Sequence, residues 1–375
     1  MLKVGITGQS GFIGTHLYNF LNLKKEEIIT VPFEDSFFSH ENDLYDFATQ
    51  CDVIVHLAAM NRHDNPQIIY NTNIELTDKL IQALERSGKR SHVLFSSSIQ
   101  EERDNLYGKS KRECRIRFEE WAKRTDSGFT GLIIPNVFGP FGKPFYNSVV
   151  STFCYQLNQG EKPAIHVDAS LQLIYVTDLA ELIYKQIIDK PYSREIKNLR
   201  VPYTSEILVS EILAKLNSYS ECYLVEHTIP AFNNRFEQNL FNTFRSYIDH
   251  LSLYPVRLKK NTDQRGSFVE TVKTGTGGQF SFSTTLPGIT RGNHFHTRKI
   301  ERFIVISGKA SIELRRIGTS NVLRFELDGE NPSFVDMPVW FTHNITNTGN
   351  EELITLFWIN EFFDPDDPDT FFAKV

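Results

Sequence analysis

The chain has 375 residues, which is long enough for two ordinary domains. Its 46 acidic residues outnumber its 40 basic residues, and the net charge of −6 argues against nucleic-acid binding and against a polybasic membrane-binding role. No apolar run approaches the ~20 residues needed to span a bilayer, no N-terminal signal pattern is present, and the four cysteines form no C-x-x-C motif, so we expect a cytoplasmic protein.

A glycine-rich turn follows the first predicted strand. Residues 2–7 form an apolar run that predicts a strand, and Gly8, Gly11 and Gly14 follow it at the start of a predicted helix. This order is typical of a dinucleotide-binding fingerprint, because glycine lets the backbone approach a pyrophosphate and the helix start offers unpaired N–H groups. Three glycines alone are also compatible with simple close packing of a helix on a strand.

Further β-rich runs alternate with helical stretches along the first half of the chain. Residues 28–31, 51–59 and 92–98 predict strands, and a helical stretch around residues 64–87 precedes the last of them. This alternation predicts an α/β fold with a doubly wound parallel sheet, in which ligands bind at the carboxyl ends of the strands.

Candidate proton-transfer residues lie at one of these strand ends. Ser96, Ser97 and Ser98 end the run at 92–98, and Tyr107 and Lys111 follow, four residues apart in a predicted helix. Residues four apart share a helix face, so we expect the Lys111 ammonium to lower the pKa of the Tyr107 phenol, which would then donate a proton to a carbonyl under reduction. A Y-x-x-x-K pair alone is commonly a surface pair, but the preceding glycine turn and serine-ended strand favour the functional interpretation.

These motifs together resemble the extended short-chain dehydrogenase/reductases that act on nucleotide sugars. The matching stretches are TGQSGFIG at 7–14, HLAA at 56–59, SSS at 96–98, YGKSK at 107–111, NVFGP at 136–140 and YVTDLA at 175–180. The resemblance implies a Rossmann-type reductase with a nicotinamide cofactor and a catalytic trio of Ser98, Tyr107 and Lys111. It also implies a set of cofactor-binding residues, namely Gly8, Gly11, Phe12, Ile13, Gly14, Asp43, Leu44, Leu57, Ala58, Ala59, Asn73, Tyr107 and Lys111.

The resemblance also assigns roles within this set. The glycine turn would hold the pyrophosphate, Asp43 and Leu44 would flank the adenine, and residues 57–59 would line the cofactor groove. Ser98 would polarise the sugar carbonyl. The chain departs from the family at Ile133, where many relatives carry arginine, and in a short loop before the tyrosine. NADPH is the implied cofactor, although the sequence leaves NADPH and NADH open.

The composition changes near residue 250. Residues 140–250, with helical stretches around 205–217 and 235–250, are expected to cover the substrate. From residue 251 onward, short β-rich runs alternate with Gly, Asn and Asp turns, as is typical of a barrel or sandwich. We therefore predict an NAD(P)-binding reductase domain over residues 1–250 and a β-rich domain over residues 251–375.

Three histidines and one glutamate in the β-rich part have a spacing that predicts a metal site. His294 and His296 are two residues apart in a predicted strand, so both side chains reach one face. Glu301 opens the next β-rich run, which we expect to be the neighbouring strand of the same sheet, and His343 follows a later turn. Three imidazoles and a carboxylate suit a divalent cation such as Zn²⁺, with positions left for a substrate. Surface histidines on a hairpin are the alternative.

The spacing G-x5-H-x-H-x4-E-x6-G over residues 288–308 resembles the first cupin motif, and Pro338 and His343 match part of the second. Trp340 and Pro332 stand where the family has glycine. Because these positions are turns, we expect the ligands to be unaffected. The resemblance implies that the β-rich part is an all-β cupin barrel that holds the metal.

A second signature lies near the start of the β-rich part. The pattern D-x-R-G-x-F-x-E at 263–270 resembles deoxysugar 3,5-epimerases, which are also cupins. In those enzymes a histidine in an R-G-x-H segment removes a proton next to a ketone. Here that histidine is His294, a predicted metal ligand, and we do not expect it to serve in both roles. The alternative is that Arg265 and Glu270 simply pair across strands.

Over its whole length the chain resembles the bifunctional capsular-polysaccharide enzymes, in which a nucleotide-sugar reductase is fused to an epimerase-like metal cupin. The stretches that carry this resemblance are SSSIQ at 96–100, DQRGSF at 263–268, GITRGNHFH at 288–296 and NEFFDPDDPDTFF at 360–372. It implies that the cupin epimerises C3 of a UDP-2-acetamido-2,6-dideoxy-4-hexulose. NADPH-dependent reduction at C4 would then give UDP-2-acetamido-2,6-dideoxy-L-talose, on the route to UDP-N-acetyl-L-fucosamine for capsule or O-antigen.

Two other functions are open at this point. One is a UDP-hexulose 4-reductase whose cupin is purely structural, and the other is a nucleotide-sugar sensor or scaffold without turnover, which the intact catalytic trio disfavours. We also expect a homodimer that associates mainly through the cupin, because cupins expose sheet edges that pair across a two-fold axis. The tail at 362–372 is expected to lie on a neighbouring surface.

Overall fold

The computed structural model describes residues 1–189 and 194–375. The chain packs into two compact units, Met1–Thr152 with Val167–Val209 and Phe153–His166 with Ser210–Val375. Each unit contains its own sheets.

Both units of the described chain contain helices. They are α1 (Phe12–Leu21), α2 (Glu41–Gln50), α3 (Pro66–Ser87), α4 (Leu106–Thr125), α5 (Val149–Asn158), α6 (Val176–Asp189), α7 (Val209–Tyr219), α8 (Arg235–Arg245) and α9 (His250–Leu253), with short 3-10 segments at Asp35–Ser39 and Ile99–Glu102 and a π-helical segment at Ser220–Val225. Within the described part of the chain, none of the helices is both long and apolar enough to span a bilayer.

The first unit is built on a six-stranded parallel sheet in the order β2-β1-β3-β4-β5-β8, accompanied by a smaller sheet in the order β6-β7-β9. Their strands are β1 (Leu2–Thr7), β2 (Ile28–Val31), β3 (Val53–His56), β4 (His92–Ser98), β5 (Phe129–Ile134), β6 (Asn136–Phe138), β7 (Ser170–Tyr175), β8 (Ile196–Arg200) and β9 (Ser205–Leu208).

Both faces of the six-stranded sheet are covered. Along β4, Leu94 packs in a core cluster with residues of α1 and α6, whereas its neighbours Val93 and Phe95 pack in a second cluster with residues of α2, α3 and α4. Parallel strands need crossover helices, and these cover the sheet on both sides. The predicted doubly wound α/β fold is therefore confirmed, and the strand ends that carry Gly8 and Ser98 belong to one sheet.

The second unit holds two five-stranded antiparallel sheets and a two-stranded hairpin. The sheets have the orders β10-β18-β15-β20-β13 and β17-β16-β19-β14-β21, and the hairpin pairs β11 with β12. Their strands are β10 (Val256–Arg257), β11 (Lys260–Asp263), β12 (Gly266–Val269), β13 (Gln279–Thr285), β14 (Thr290–Phe295), β15 (Glu301–Ser307), β16 (Lys309–Arg316), β17 (Val322–Asp328), β18 (Ser333–Met337), β19 (Phe341–Asn347), β20 (Leu353–Ile359) and β21 (Phe371–Phe372). The expected cupin-like β domain is confirmed.

A buried ionic cluster joins the segment before residue 251 to these sheets. Arg302 of β15 donates to both carboxylate oxygens of Asp336 of β18, at 2.7 and 2.9 Å, and Tyr223 donates to the same carboxylate at 2.7 Å. Burial would raise the pKa of Asp336, but the Arg302 guanidinium outweighs this effect and lowers it. Residues 210–250 therefore pack in the same unit as the β structure, and the domain boundary after residue 250 stays a prediction.

Candidate active site and metal centre

The glycine turn after β1 is held against its neighbours by close backbone contacts. Gly8 has a φ of 68°, and a Cβ at this position would lie 2.7 Å from the backbone nitrogen of Ala58. A Cβ on Gly14 would lie only 2.2 Å from the Gly8 carbonyl oxygen, so glycine is needed for α1 to approach the turn. Gly11 is the N-cap of α1, and the first turn, with Phe12 and Ile13, carries no acidic side chain. The positive end of this helix suits an anion such as a pyrophosphate.

The segment after β3 lies beside this turn, as expected for a groove-lining segment. The backbone nitrogen of Leu57 donates to the Thr7 carbonyl oxygen at 3.2 Å, and that of Ala58 donates to the Thr7 hydroxyl at 3.3 Å. Ala59 continues the same segment, which is only partly buried. The structure therefore brings residues 57–59 and the glycine turn together.

The Asn73 side chain of α3 is hydrogen-bonded to the backbone of the segment that follows β3. Its side-chain oxygen accepts from the Met60 nitrogen at 2.7 Å, and its amide donates to the Met60 carbonyl at 3.1 Å and to the Ser110 hydroxyl at 3.0 Å. Both N–H donors of the buried amide are engaged within the protein. Asn73 therefore positions the segment after β3, and its direct contact with a cofactor stays a prediction.

Asp43 and Leu44 lie on α2, and their expected place beside the adenine stays a prediction. Leu44 is buried in the core cluster that contains Phe33 and Phe47, because the apolar face of α2 packs against the sheet. Asp43 is exposed on the same helix, with its carboxylate 3.9 Å from the His40 imidazole. The acidic residue that contacts the glycine turn is Asp35, which accepts a hydrogen bond from the Ser10 hydroxyl at 2.8 Å.

The three serines at the end of β4 make different hydrogen bonds. Ser96 donates to the His56 carbonyl oxygen at 3.1 Å, and Ser97 donates to the Glu101 carboxylate at 2.6 Å. The Ser98 hydroxyl accepts from the Gln100 nitrogen at 3.2 Å, and within the described residues it donates to no protein acceptor. Of the three serines, Ser98 is therefore the one whose hydroxyl proton is free to donate to a substrate, in agreement with its predicted role.

A glycine at the start of α4 brings the tyrosine to this strand end. A Cβ on Gly108 would lie 2.0 Å from the carbonyl oxygen of Gln100, two residues after Ser98. Asn105 caps α4 by accepting from the Gly108 nitrogen at 2.7 Å. The first turn of α4, which carries Tyr107, is thus packed directly on the segment that follows the serines.

Lys111 lies under the tyrosine ring. Its buried ammonium donates to the Ser96 carbonyl oxygen at 2.8 Å and lies 6.0 Å from the centre of the Tyr107 ring. Burial lowers the pKa of Lys111 to about 8. Burial, with a smaller effect of Tyr146, raises the pKa of Tyr107 to about 12. The expected lowering of the Tyr107 pKa is therefore wrong in this structure, because the desolvation of the phenol dominates.

The four predicted metal ligands converge in the second unit, and their ligand atoms all lie within 4.8 Å of one another. His294 of β14 pairs directly with His343 of β19, and His296 follows the end of β14. Glu301 is the first residue of β15, which belongs to the other sheet. The expectation that Glu301 opens a strand of the same sheet is wrong, because the turn at residues 296–300 carries the chain from one sheet to the other.

The electrostatics of this cluster suit a cation. One carboxylate oxygen of Glu301 lies 3.1 Å from Nε2 of His296 and 3.1 Å from Nε2 of His343. Burial would raise the pKa of Glu301, but the two imidazoles outweigh it and hold the pKa well below its usual range. Burial, followed by the neighbouring His343, lowers the pKa of His294 to about 4, so that imidazole is neutral and its lone pair is available.

The donor set fits a divalent metal ion. Nε2 of the fully buried His343 lies 3.1 Å from the Glu301 carboxylate, yet it has no hydrogen-bond partner among the described residues. Buried polar atoms are nearly always satisfied, and a metal ion would satisfy this nitrogen. Three imidazoles and one carboxylate are ligands that zinc accepts, with nitrogen and oxygen donors. The choice of zinc over another divalent metal stays a prediction.

Sequence reasoning missed one residue of this centre. Nδ1 of His296 donates to the backbone carbonyl oxygen of Asp369 at 2.5 Å, and the Asp369 carboxylate accepts from the turn after His296. The only local signal is an aspartate in a proline-rich tail, which indicates a turn but not its distant partner. The expectation that this tail lies on a neighbouring surface is wrong for Phe371 and Phe372, which pair with β14 of the same chain.

Trp340 shows how a family departure is accommodated. It has a φ of 62°, in the left-handed region that favours glycine. Its backbone nitrogen donates to the His296 carbonyl oxygen at 2.8 Å, and its buried ring stacks on Phe295 with the ring centres 5.6 Å apart. The turn keeps the glycine conformation, and the four predicted ligands converge with tryptophan at this position.

The epimerase-like signature forms the exposed hairpin β11–β12. Arg265 contacts its near neighbour Asp263 at 2.6 Å, and Glu270 contacts Lys273 at 3.4 Å. The alternative that Arg265 and Glu270 pair with each other is therefore wrong.

Comparison with known proteins assigns the family. A family model described as "NAD dependent epimerase/dehydratase family" matches residues 4–196, and one described as "Polysaccharide biosynthesis C-terminal domain" matches residues 261–371. The chain is 33% identical over 375 residues to a UDP-2-acetamido-2,6-beta-L-arabino-hexul-4-ose reductase of Pseudomonas aeruginosa, covering 100% of this chain and 99% of the relative. It is 27% identical over 123 residues to the spore coat polysaccharide biosynthesis protein SpsL of Bacillus subtilis, covering 30% of this chain and 82% of that protein.

Among solved structures, the capsular polysaccharide assembling protein CapF from Staphylococcus aureus is similar over 100% of both chains, with 34% identity and a TM-score of 0.63. The predicted resemblance to a capsular-polysaccharide protein is thereby confirmed along the whole chain. On this full-length similarity and on the match over residues 4–196, the chain belongs to the NAD dependent epimerase/dehydratase family, in the form that carries a polysaccharide biosynthesis C-terminal domain.

Proposed function

We propose that the protein is an NADPH-dependent UDP-sugar 4-ketoreductase that acts at Ser98, Tyr107 and Lys111. The observation that carries this proposal is the presence of the glycine turn and the Tyr107–Lys111 pair at the carboxyl ends of strands in one parallel sheet. The full-length similarity to the Pseudomonas reductase supports the choice of substrate and reaction. Because NADPH and UDP-sugars are metabolites of the cytoplasm, we propose that the enzyme works there.

Each residue of this site would have a separate role in carbonyl reduction. Bound NADPH would supply a hydride to C4 of the sugar, and the turn at residues 8–14 would hold its pyrophosphate. The Ser98 hydroxyl would donate to the carbonyl oxygen as negative charge develops there. The raised pKa of Tyr107 keeps the phenol protonated at neutral pH, so it can donate its proton to the alkoxide. The Lys111 ammonium beneath the ring would stabilise the phenolate that remains.

We further propose that the second unit epimerises C3 of the same substrate before reduction. Its zinc ligands would be His294, His296, Glu301 and His343, whose convergence supports a Lewis-acid centre. A base would take the C3 proton and an acid would return a proton to the opposite face of C3, and the residues that hold zinc would place its Lewis acidity at the negative charge that develops between these steps. The C3 proton is acidic only while C4 is a ketone, so epimerisation must come first. The product would be UDP-2-acetamido-2,6-dideoxy-L-talose, a precursor of UDP-N-acetyl-L-fucosamine.

A reductase with a purely structural cupin is the second candidate. The observation that favours it is the name of the Pseudomonas relative, which describes a reductase alone. The two candidates make different predictions at C3. Only an epimerase accelerates exchange of the C3 proton with solvent above the rate without enzyme.

One experiment tests both proposals. The full chain is incubated with UDP-2-acetamido-2,6-dideoxy-4-hexulose and NADPH in D₂O, and the product is examined by NMR. We expect oxidation of NADPH and an L-talo product with deuterium at C3. An unepimerised alcohol without deuterium would support the structural-cupin candidate, and a lack of NADPH oxidation would contradict the reductase proposal.

We also propose that the protein is a homodimer that associates through the cupin. Among the described strands, β13 ends its sheet, and its side chains Phe280 and Phe282 are 52% and 70% exposed. An apolar edge strand is commonly covered by a second chain. Sedimentation of the full chain should give a dimer, and Phe282→Lys should give a monomer. Val167→Lys, at an exposed site in the first unit, should remain dimeric, and a monomeric wild type would contradict the proposal.

A further inference from the structure

One residue of the C-terminal tail holds the turn that joins two ligand-bearing strands. The side chain of Asp369 lies against residues 297–299, between His296 and Glu301. One carboxylate oxygen accepts from the Thr297 nitrogen at 3.0 Å and from the Thr297 hydroxyl at 2.7 Å. The other accepts from the backbone nitrogens of the next two residues, at 3.0 and 2.9 Å. Three consecutive backbone N–H groups thus converge on one carboxylate.

The backbone of the same residue contacts a ligand directly. The Asp369 carbonyl oxygen lies 2.5 Å from Nδ1 of His296. A carbonyl oxygen can only accept, so Nδ1 carries a proton, and Nε2 is the nitrogen left to bind a metal ion. Nε2 is the nitrogen that lies 3.1 Å from the Glu301 carboxylate, on the side of the ligand cluster. The contact therefore fixes both the tautomer and the orientation of this imidazole.

The conformation of Asp369 makes these two contacts compatible. Asp369 is 3% exposed and has a φ of 40°, a region that aspartate and asparagine adopt more readily than most residues. Two residues later, Phe371 and Phe372 pair with Phe295 and His294 of β14. The tail is thus anchored beside the ligand-bearing strand, and the carboxylate and carbonyl of Asp369 both face the turn.

We infer that Asp369 is a positioning residue of the metal centre, which sets the tautomer and orientation of His296 and the path of the turn that leads to Glu301. This inference rests on the proposed metal site. It goes further by making metal affinity depend on a tail residue that is not itself a ligand. Residues that hold metal ligands in this way typically contribute about 10–100-fold to affinity.

The test measures zinc affinity of the full chain by competition with a chromophoric chelator. Asp369→Ala removes the carboxylate and disfavours the left-handed backbone, so we expect zinc binding to weaken by about 10–100-fold. Asp369→Asn keeps one carbonyl-type acceptor and tolerates the same backbone conformation. Its zinc affinity should therefore lie between those of the wild type and Asp369→Ala. The matched control is Asp367→Ala, because that aspartate contacts Arg298 of the same turn but its side chain is 68% exposed. Its zinc affinity should equal that of the wild type.

A second measurement separates positioning from general stabilisation. In zinc-saturated protein labelled with ¹⁵N in its histidines, the His296 ring should bind zinc through Nε2 and keep its proton on Nδ1 in the wild type, and should be a mixture of the two arrangements in Asp369→Ala. Should Asp369→Ala fail to fold, the same comparison is made with Asp369→Asn. Variants that bind zinc as tightly as the wild type and keep the Nδ1–H tautomer would overturn the inference. A wild-type protein that binds no zinc would instead refute the metal site itself, so the two failures are distinguishable.

Discussion

At the scale of single residues, hydrogen bonding separates serines that look alike in the sequence. The Ser97 hydroxyl is committed to Glu101 at 2.6 Å, whereas that of Ser98 donates to no acceptor in the described part of the chain. We expect Ser98→Ala to lower kcat by about 10²–10³-fold, as for the loss of one donor to a developing oxyanion. Ser97→Ala should cost about 1 kcal/mol of stability and change kcat little. NADPH oxidation and urea unfolding of both variants check this ranking, and the reverse ranking would transfer the role to Ser97.

A buried histidine beside the glycine turn predicts acid sensitivity. His56 donates to or accepts from the Thr7 hydroxyl at 2.6 Å, and burial lowers its pKa to about 3. The unfolded chain takes up a proton near pH 6.5, but the folded chain does not until about pH 3, so stability is lost as the pH falls through this window.

The loss should be measurable before the protein unfolds. Between about pH 7.5 and pH 5, His56 alone should reduce the free energy of unfolding by roughly 2 kcal/mol. His56→Gln removes the titrating group. Between the same two pH values, the unfolding free energy of this variant, measured in urea, should therefore fall by roughly 2 kcal/mol less than that of the wild type. His166→Gln, at an exposed histidine, should keep the wild-type difference. An equal pH dependence in His56→Gln and the wild type would refute the assignment.

At the scale of elements, one glycine sets the distance between α4 and the end of β4. A methyl group on Gly108 would meet the Gln100 carbonyl oxygen at 2.0 Å, so Gly108→Ala must displace the first turn of α4 and with it Tyr107. A shift of about 1 Å at a reacting group can cost about 10²-fold in rate. We expect a loss of kcat of at least about 10-fold with the fold retained, checked by NADPH oxidation and circular dichroism. Gly277→Ala, with no neighbour within 4 Å, is the control, and a fully active Gly108→Ala would contradict the argument.

Hydrophobic runs and residue spacing in the sequence predicted the strands and helices, and also which candidate residues lie on the same strand or helix. The strands of the parallel sheet are buried on both faces and therefore read as continuous apolar runs. Tyr107 and Lys111 lie on one helix, and His294 and His296 are two residues apart, so spacing alone brings each pair together. This is why the fold class could be predicted, together with the proximity of Tyr107 to Lys111 and of His294 to His296.

Contacts that depend on packing between distant segments could not be predicted. Glu301 lies in the other sheet because β15 pairs with β18 and β20, and no spacing in the sequence encodes that pairing. Leu44 is buried because the apolar face of α2 packs on the sheet, and no local pattern encodes that packing. Asp369 reaches His296 across 73 positions of the chain.

At the scale of the whole molecule, the two proposed reactions need different groups in different units. Reduction needs the proton of Tyr107 in the first unit, whereas epimerisation needs the metal ligands in the second. Tyr107→Phe, given the 4-hexulose in D₂O, should therefore lose about 10²–10⁴-fold in NADPH oxidation while deuterium still enters at C3. NMR of the recovered ketone and absorbance of NADPH measure the two reactions separately.

The complementary variant reverses this outcome. His343→Ala removes a fully buried proposed ligand, so zinc binding and C3 exchange should both be lost while hydride transfer at C4 persists. The product should then be the unepimerised alcohol, formed slowly if the reductase site prefers the epimer. Because the C3 proton loses its acidity once C4 is reduced, exchange must be followed on the ketone before NADPH is added. Loss of C3 exchange in a folded, zinc-loaded Tyr107→Phe protein would show that the two reactions share a site, and the division between the units would be wrong.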